Sequence, residues 1–283
     1  MPVSKLAFPY FKTLPLLRIF KKNVKSISFS RKAFENGLSD ILFENFGSKG
    51  VITLNRPKVL NAFTYDMIKQ IYPILKEWES NKSLVIIKGA GNKAFCAGGD
   101  VVNLTESGEG YLTKVLFRDE YQLNNLIGRY SIPYIALMDG ITMGGGVGLS
   151  VHGQFRIVTE RTLLAMPEAE IGLFPDVGTS YFLSRLKGNL GVFLALTGHR
   201  LKGRDVLGAG VATHACDAER IPELERTLLN LNSTYAEDIT AVTSTASIQD
   251  CSKASTFGKD EEFSLKPFAS QSRSASGGQA WKR

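Results

Sequence analysis

Apolar residues in the middle of this chain follow two rhythms, and the switches between them mark out its elements. Ile41–Phe46 and residues 51–54 are short runs of strand character on either side of Gly47-Ser48-Lys49-Gly50, a spacing that predicts a hairpin. From Thr64 the period lengthens: Ile68, Ile71, Leu75 and Trp78 fall on one face of a helix, and Pro73 within it predicts a kink. Residues 84–88 and Tyr134–Met138 are uninterrupted apolar runs, with a helical stretch over 114–128 between them. Runs without alternation belong to strands buried on both faces, and the repeated order of strand, turn and helix argues an α/β fold with parallel strands. Residues 194–213 read as helix, turn, helix and strand, the end of the regular core.

Each of the two buried runs feeds a glycine-rich turn: Phe95-Cys96-Ala97-Gly98-Gly99-Asp100 and Gly140-Ile141-Thr142-Met143-Gly144-Gly145-Gly146-Val147-Gly148. One such cluster after a strand is ordinarily a tight turn or a close packing point. Two of them, about 45 residues apart, permit another arrangement. Two backbone N–H groups aimed at one point, with no side chain to hold an acyl thioester away, make a split oxyanion hole.

These turns sit within a longer pattern. Asn55-Arg56-Pro57 with Leu60-Asn61-Ala62, the first turn, Met143-Gly144-Gly145-Gly146, Met166-Pro167-Glu168 and Gly172-Leu173-Phe174-Pro175 follow one another as they do in the crotonase (enoyl-CoA hydratase/isomerase) superfamily, which the chain resembles from about residue 38 to 231. Phe117-Arg118-Asp119-Glu120-Tyr121, Gly148-Leu149-Ser150-Val151-His152-Gly153-Gln154-Phe155 and Phe174-Pro175-Asp176-Val177-Gly178 resemble its 3-hydroxyisobutyryl-CoA hydrolase branch. The resemblance implies a crotonase-type spiral of repeated ββα units. It also implies a substrate that is a short 3-hydroxyacyl-CoA, cleaved to free acid and CoA in mitochondrial valine breakdown. No cofactor is expected, coenzyme A being part of the substrate.

Net charge changes this picture only at the start of the chain. Of the +7, the first 34 residues contribute eight Lys or Arg and no acid, leaving 26 basic against 27 acidic residues in the rest. A near-neutral body gives no reason to expect a nucleic-acid partner, and no apolar run approaches the roughly 20 residues that span a membrane. Basic, Ser-containing and interrupted by Leu14, Leu16, Leu17, Ile19 and Phe20, residues 1–34 read as a mitochondrial transit peptide, which points to the matrix; a solvated basic tail is the plainer reading. Residues 35–231 form the expected core. After Asn232, 15 of the last 52 residues are Ser or Thr and strong apolar periodicity is absent, so 232–283 is expected not to pack. The hydrolase branch carries a long helical region there, which makes a shortened or alternative form the simplest reading. A second copy of the chain is a candidate partner.

The candidate chemistry lies in a few acids. Glu168 follows a proline at a helix start, where the dipole favours its anion while Met166, Leu173 and Phe174 would desolvate it. From spacing alone it is equally an exposed helix-start carboxylate, and Asp176 in Pro175-Asp176-Val177-Gly178 is equally a turn residue. The resemblance assigns Glu168 as general base or nucleophile and Asp176 as its assistant. It places the oxyanion N–H groups on Gly99 and Gly145, with Gly98 and Gly144 lining the substrate and Glu120 beside the hydroxyacyl group. Hydratases of the superfamily have a second glutamate where this chain has Gly148, which favours hydrolysis; a hydratase or isomerase, or an inactive binding form, are the alternatives. Asp100 is expected to tie down the first turn through backbone N–H groups. His152, His199 and His214 read as structural, because no G-x-S-x-G elbow offers a partner serine. No G-x-G-x-x-G with a following acid marks a dinucleotide site, and Cys96, Cys216 and Cys251 have neither metal nor disulfide spacing, which leaves them free thiols with no metal expected.

Overall fold

A computed structural model describes residues 39–100, 111–232 and 235–245. The chain divides into Met1–Ser39 and Asp40–Arg283, and every strand and helix among the described residues lies in the second unit. The transit-peptide reading of 1–34, Cys251 and the Ser-rich stretch 246–283 lie outside the described residues.

The predicted hairpin is present: β1 (Ile41–Phe46) and β2 (Lys49–Leu54) pair antiparallel. Helix α1 (Tyr65–Asn81) begins where expected, the Thr64 hydroxyl accepting the Met67 N–H at 3.3 Å, and it buries Ile68, Ile71, Leu75 and Trp78 together with Met67. Pro73 falls on the exposed side, and the helix runs through it to Asn81, losing one backbone hydrogen bond without ending.

From there strands come in pairs. β3 (Leu84–Gly89) and β4 (Ala94–Cys96) precede α2 (Tyr111–Gly128); β5 (Tyr134–Met138) and β6 (Ile141–Met143) precede α3 (Gly145–Ser150); β7 (Phe155–Val158) and β8 (Leu163–Ala165) follow. The first strand of each pair joins a six-stranded sheet ordered β1-β2-β3-β5-β7-β10, and the second joins a four-stranded sheet ordered β4-β6-β8-β9, where β9 is Leu201–Lys202 and β10 is His214–Ala215. All neighbours are parallel except β1 with β2 and β8 with β9. Repeated ββα units therefore wind two sheets in step, and each turn of the spiral brings a strand end of the small sheet to the same place.

Helices α4 (Thr179–Leu183), α5 (Leu190–Thr197) and α6 (Arg204–Gly208) close the spiral, with the two-residue β9 interposed between the last two, an element the sequence pattern did not predict. The inner strands of the large sheet, β2, β3, β5 and β7, are buried on both sides, as their apolar runs required. Val85 and Ile87 face one core with α1 and α2, while Leu84 and Ile86 face another with Leu224 and Leu228 of α7 (Ile221–Asn230).

The second core overturns part of the expectation for the C-terminal stretch. Ala236–Thr245 forms a helix, α8, whose Ile239 is fully buried beside Leu224 and Leu228. Each such side chain contributes about 1.5–3 kcal/mol by leaving water. Ser/Thr content misled here because a helix can satisfy a buried hydroxyl locally: Thr243 is 1% exposed and donates to the Ile239 carbonyl at 2.9 Å. Among the described residues no helix is long and apolar enough to cross a membrane.

Candidate active site

The first glycine turn leaves β4 and is pinned to the segment before α1. Phe63 N–H donates to the Gly98 carbonyl at 2.8 Å and Asp100 N–H donates to the Phe63 carbonyl at 2.9 Å, a one-residue parallel bridge between Phe63 and Gly99. In such a bridge the N–H of Gly99 faces away from Phe63. It faces the second turn: a Cβ placed on Gly145 would lie 3.6 Å from Gly99 N. The Asp100 carboxylate accepts from the Arg56 guanidinium at 2.8 Å. Arg56 also donates to the Ala62 carbonyl, so Asp100 ties the turn down through a cation rather than through the expected backbone N–H groups alone.

The second turn leaves β6. Gly144 has φ 48° and ψ −118°, a conformation that side chains exclude, and a Cβ there would sit 2.9 Å from Glu168 Oε1. Gly145 is the first residue of α3, so its N–H lacks an intrahelical acceptor. Among the described residues neither Gly99 N–H nor Gly145 N–H has an acceptor within the protein.

Two carboxyl groups lie beside these turns, and a third is in electrostatic reach of both. Glu120 comes from α2 and is 6% exposed, with Oε1 3.1 Å from the Cβ position of Gly145. Glu168 opens a single 3-10 turn, Glu168–Ile171, and is 8% exposed; its Oε2 is buried without a hydrogen-bond partner among the described residues. Asp176 follows that turn, and its Oδ2 accepts the Tyr121 hydroxyl at 2.8 Å. Burial pushes Glu120 up to about 8, and the Asp176 and Glu168 charges add to it. Burial also pushes Glu168 up to about 7, opposed by a bond from its own backbone N–H and reinforced by Asp176. Near neutral pH the site therefore holds one protonated acid beside another that is half ionised, an arrangement suited to proton transfer. Met166 is buried as expected, but Leu173 and Phe174, expected to desolvate Glu168, are exposed.

The backbone of the turn that carries Asp176 is held at several points. Thr179 donates to the Asp176 carbonyl with both N–H and hydroxyl, at 2.8 and 2.6 Å. His152 Nε2 lies 2.7 Å from the Val177 carbonyl. Val177 itself is buried at φ 44°, which costs a β-branched residue about 1–3 kcal/mol and persists only where surroundings enforce it. Its side chain fills the space above Gly148, where a Cβ would come within 2.6 Å of Val177 Cβ and 3.0 Å of Asn124 Nδ2. Position 148, where hydratases of the resembled superfamily carry a glutamate, is closed by packing.

The structure thus brings Glu120, Glu168, Gly98, Gly99, Gly144 and Gly145 together, with Asp176 in electrostatic reach. Sequence reasoning left Tyr121, Asn124 and Val177 without a role, although Tyr121 and Val177 stood inside segments that resemble the hydrolase branch. Of the histidines, His152 meets a backbone carbonyl, His199 lies against Phe193, and His214 packs on Phe155. A hollow of about 320 Å³ lined by Pro57, Lys58, Asn61 and Lys93 lies where the chain enters β4, and its two lysines suit an anionic group. A larger hollow of about 740 Å³ between α7 and α8 contains none of the three acids.

The sequence and the fold are also similar to those of known proteins. Residues 49–272 match the family model for enoyl-CoA hydratase/isomerase. The chain is 62% identical over 205 residues to a protein of Danio rerio named 3-hydroxyisobutyryl-CoA hydrolase, mitochondrial, a match covering 71% of this chain and 54% of that one. To the proteins of the same name from Mus musculus and Homo sapiens it is 56% and 60% identical, covering 83% and 72% of this chain and 62% and 54% of theirs. The chain thus spans about half the length of the curated relatives it matches. Among solved structures, a carnitinyl-CoA dehydratase from Mycobacterium thermoresistibile superposes with a TM-score of 0.70 at 37% identity, over 85% of this chain and 67% of that one. An enoyl-CoA hydratase from Rhodobacter sphaeroides gives 0.66 at 34%, with the same coverage. The spiral of ββα units is the crotonase-type fold.

Proposed function

Since the chain belongs to the enoyl-CoA hydratase/isomerase family, we propose that it hydrolyses the thioester of 3-hydroxyisobutyryl-CoA, releasing the free acid and CoA. The observation that carries this reading is the closure of position 148 by Val177, beside an acid cluster built from Glu120, Glu168 and Asp176. Hydration of a double bond calls for a second carboxylate above the β-carbon. Here Glu120 and Glu168 lie instead beside the two free N–H groups, where a thioester carbonyl would be polarised, with Asp176 in electrostatic reach.

In this reading Gly99 and Gly145 donate to the carbonyl oxygen as it becomes an oxyanion, and Gly98 and Gly144 let the thioester reach them. Glu168 takes a proton from water as its oxygen bonds to the carbonyl carbon; collapse breaks the C–S bond, and the proton passes to the departing CoA thiolate. Alternatively Glu168 attacks directly, expels CoA as thiolate and forms an anhydride that water cleaves to regenerate the carboxylate. Glu120, protonated at neutral pH, donates to the substrate's hydroxyl. Asp176, in electrostatic reach, favours the protonated form of Glu120. Lys58 and Lys93 offer charge to the phosphates of CoA.

The relatives are named mitochondrial, and with the basic, acid-free residues 1–34 this supports a mitochondrial, matrix location. Exposed Ile171, Leu173 and Phe174 beside Tyr181, Val192 and Leu196 support self-association, which analytical ultracentrifugation would read. The deciding experiment is thiol release from purified protein with a panel of short acyl-CoAs beside crotonyl-CoA hydration. Release confined to 3-hydroxyacyl thioesters supports the reading; hydration without release overturns it.

A further inference from the structure

We propose that Tyr121 is a positioning residue of this site, its hydroxyl holding the Asp176 carboxylate in one orientation toward Glu120 and Glu168. The inference rests on the hydrolase reading for its consequence in turnover, and on geometry for the contact itself.

The backbone of the Asp176 turn is held from the protein interior. The carbonyl of Asp176 is held twice by Thr179, the Val177 carbonyl is met by His152, and Val177 is packed over Gly148. These contacts set where the Asp176 side chain starts, not where its carboxylate points. Tyr121 supplies the missing constraint at 2.8 Å, from the residue next to Glu120 on α2. Its ring is stacked on Phe117, centroids 6.0 Å apart, which limits the positions from which the hydroxyl can donate. Among the described residues, Tyr121 and Glu120 from α2 and Glu168 from the 3-10 turn are the titratable groups that interact most with Asp176. None of these is a cation, and of the three it is the Tyr121 hydroxyl that donates to the carboxylate. Its own ionisation is held well above the ordinary tyrosine range by burial, then by the bond to Asp176 and the nearby charges of Asp176 and Glu120, so it remains a donor at every pH at which the site would work.

Tyr121→Phe removes the donor and keeps the ring stack. Expected is a fall in kcat of about tenfold with KM changed by less than about twofold, because the ground-state contacts of the substrate are untouched. In an Asp176→Asn background the same substitution should cost less than about twofold, since a residue acting only through Asp176 has nothing left to position. Equal losses in both backgrounds would overturn the proposal. A second measurement does not depend on turnover: with 3-fluorotyrosine at position 121, the ¹⁹F titration should move to lower pH when Asp176→Asn is introduced. An unmoved titration means the contact is absent in solution and refutes the proposal whatever the activity. If unsubstituted protein releases no CoA while the titration does move, the hydrolase reading has failed and the Tyr121 contact stands.

Discussion

Replacing Glu168 with glutamine separates a working acid from a structural one, because activity and stability should move in opposite directions. The carboxyl is buried with one oxygen unpartnered, and its folded-state value lies at about 7 against the ordinary 4.5. A group whose folded value is raised contributes favourably while protonated, below its unfolded range, and that contribution is lost as pH rises through about 7. Above it the fold carries a desolvated charge. The displacement corresponds to about 3 kcal/mol at full desolvation, and solvent screening of a partly buried carboxyl reduces this to about 1–2 kcal/mol. Glutamine carries no charge, so at pH 8 Glu168→Gln should raise Tm by about 3–6 °C, with the gain vanishing below about pH 4. Over the same range kcat for CoA release should fall by about 10² or more. In unsubstituted protein the ionised fraction sets the acid limb: turnover should rise about fivefold from pH 6 to 7 and less than twofold from 7 to 8. The assays are thiol release followed with a chromogenic disulfide and calorimetry at pH 4 and 8. Turnover within about threefold of the unsubstituted protein at pH 8 would refute the mechanism, and a joint loss of activity and stability would mark Glu168 as a packing residue.

Three further outcomes follow from named contacts. Gly145→Val places a branched side chain 3.1 Å from Glu120 and beside the Gly99 N–H, so CoA release should drop about 10²-fold or more with the fold retained by circular dichroism; full activity would make Gly145 a turn residue only. Gly148→Glu should lower stability by about 1–3 kcal/mol, because its Cβ meets Val177 Cβ at 2.6 Å, and should not confer hydration of crotonyl-CoA. Limited proteolysis should leave a fragment extending through Thr245, since Ile239 and Thr243 are buried; a resistant core ending near Leu231 would show that α8 does not pack in solution.

The regular parts of this fold were legible because burial on both faces leaves a plain sequence signal. Val85 and Ile87 serve one core while Leu84 and Ile86 serve the other, so β3 reads as an unbroken apolar run. The helix face of α1 was equally clear. What escaped detection is held by contacts between residues distant in sequence. β9 is two residues long and exists only because β8 lies beside it. α8 carries too few apolar residues to announce itself, and its place is set by Leu224 and Leu228. The glycine turns were visible as composition, yet their meeting depends on the spiral, which returns β4 and β6 to the same edge. Tyr121 and Val177 stood inside segments that resemble the hydrolase branch, yet neither residue type gave a role until its partner was known.

Val177 and Gly148 show how one volume of space can decide between chemistries. A glutamate at 148 would project from α3 into the region that Val177 now fills, and the two cannot share it. With glycine at 148, the chain beyond Glu168 can fold inward, bury Val177 and form the turn that His152 and Thr179 lock. The positive φ of Val177 costs about 1–3 kcal/mol, which burial of its side chain, worth about 1.5–3 kcal/mol, offsets. Asp176 is the residue that this turn carries to the edge of the site, where Tyr121 meets it. The exchange therefore removes a carboxylate from the helix and delivers another from the loop, at a different position relative to Gly99 and Gly145. Relieving the strain with Val177→Gly should accordingly leave the turn less defined and lower turnover even as the local backbone becomes easier to form, and equal turnover in that variant would show that the strained turn has no part in placing Asp176.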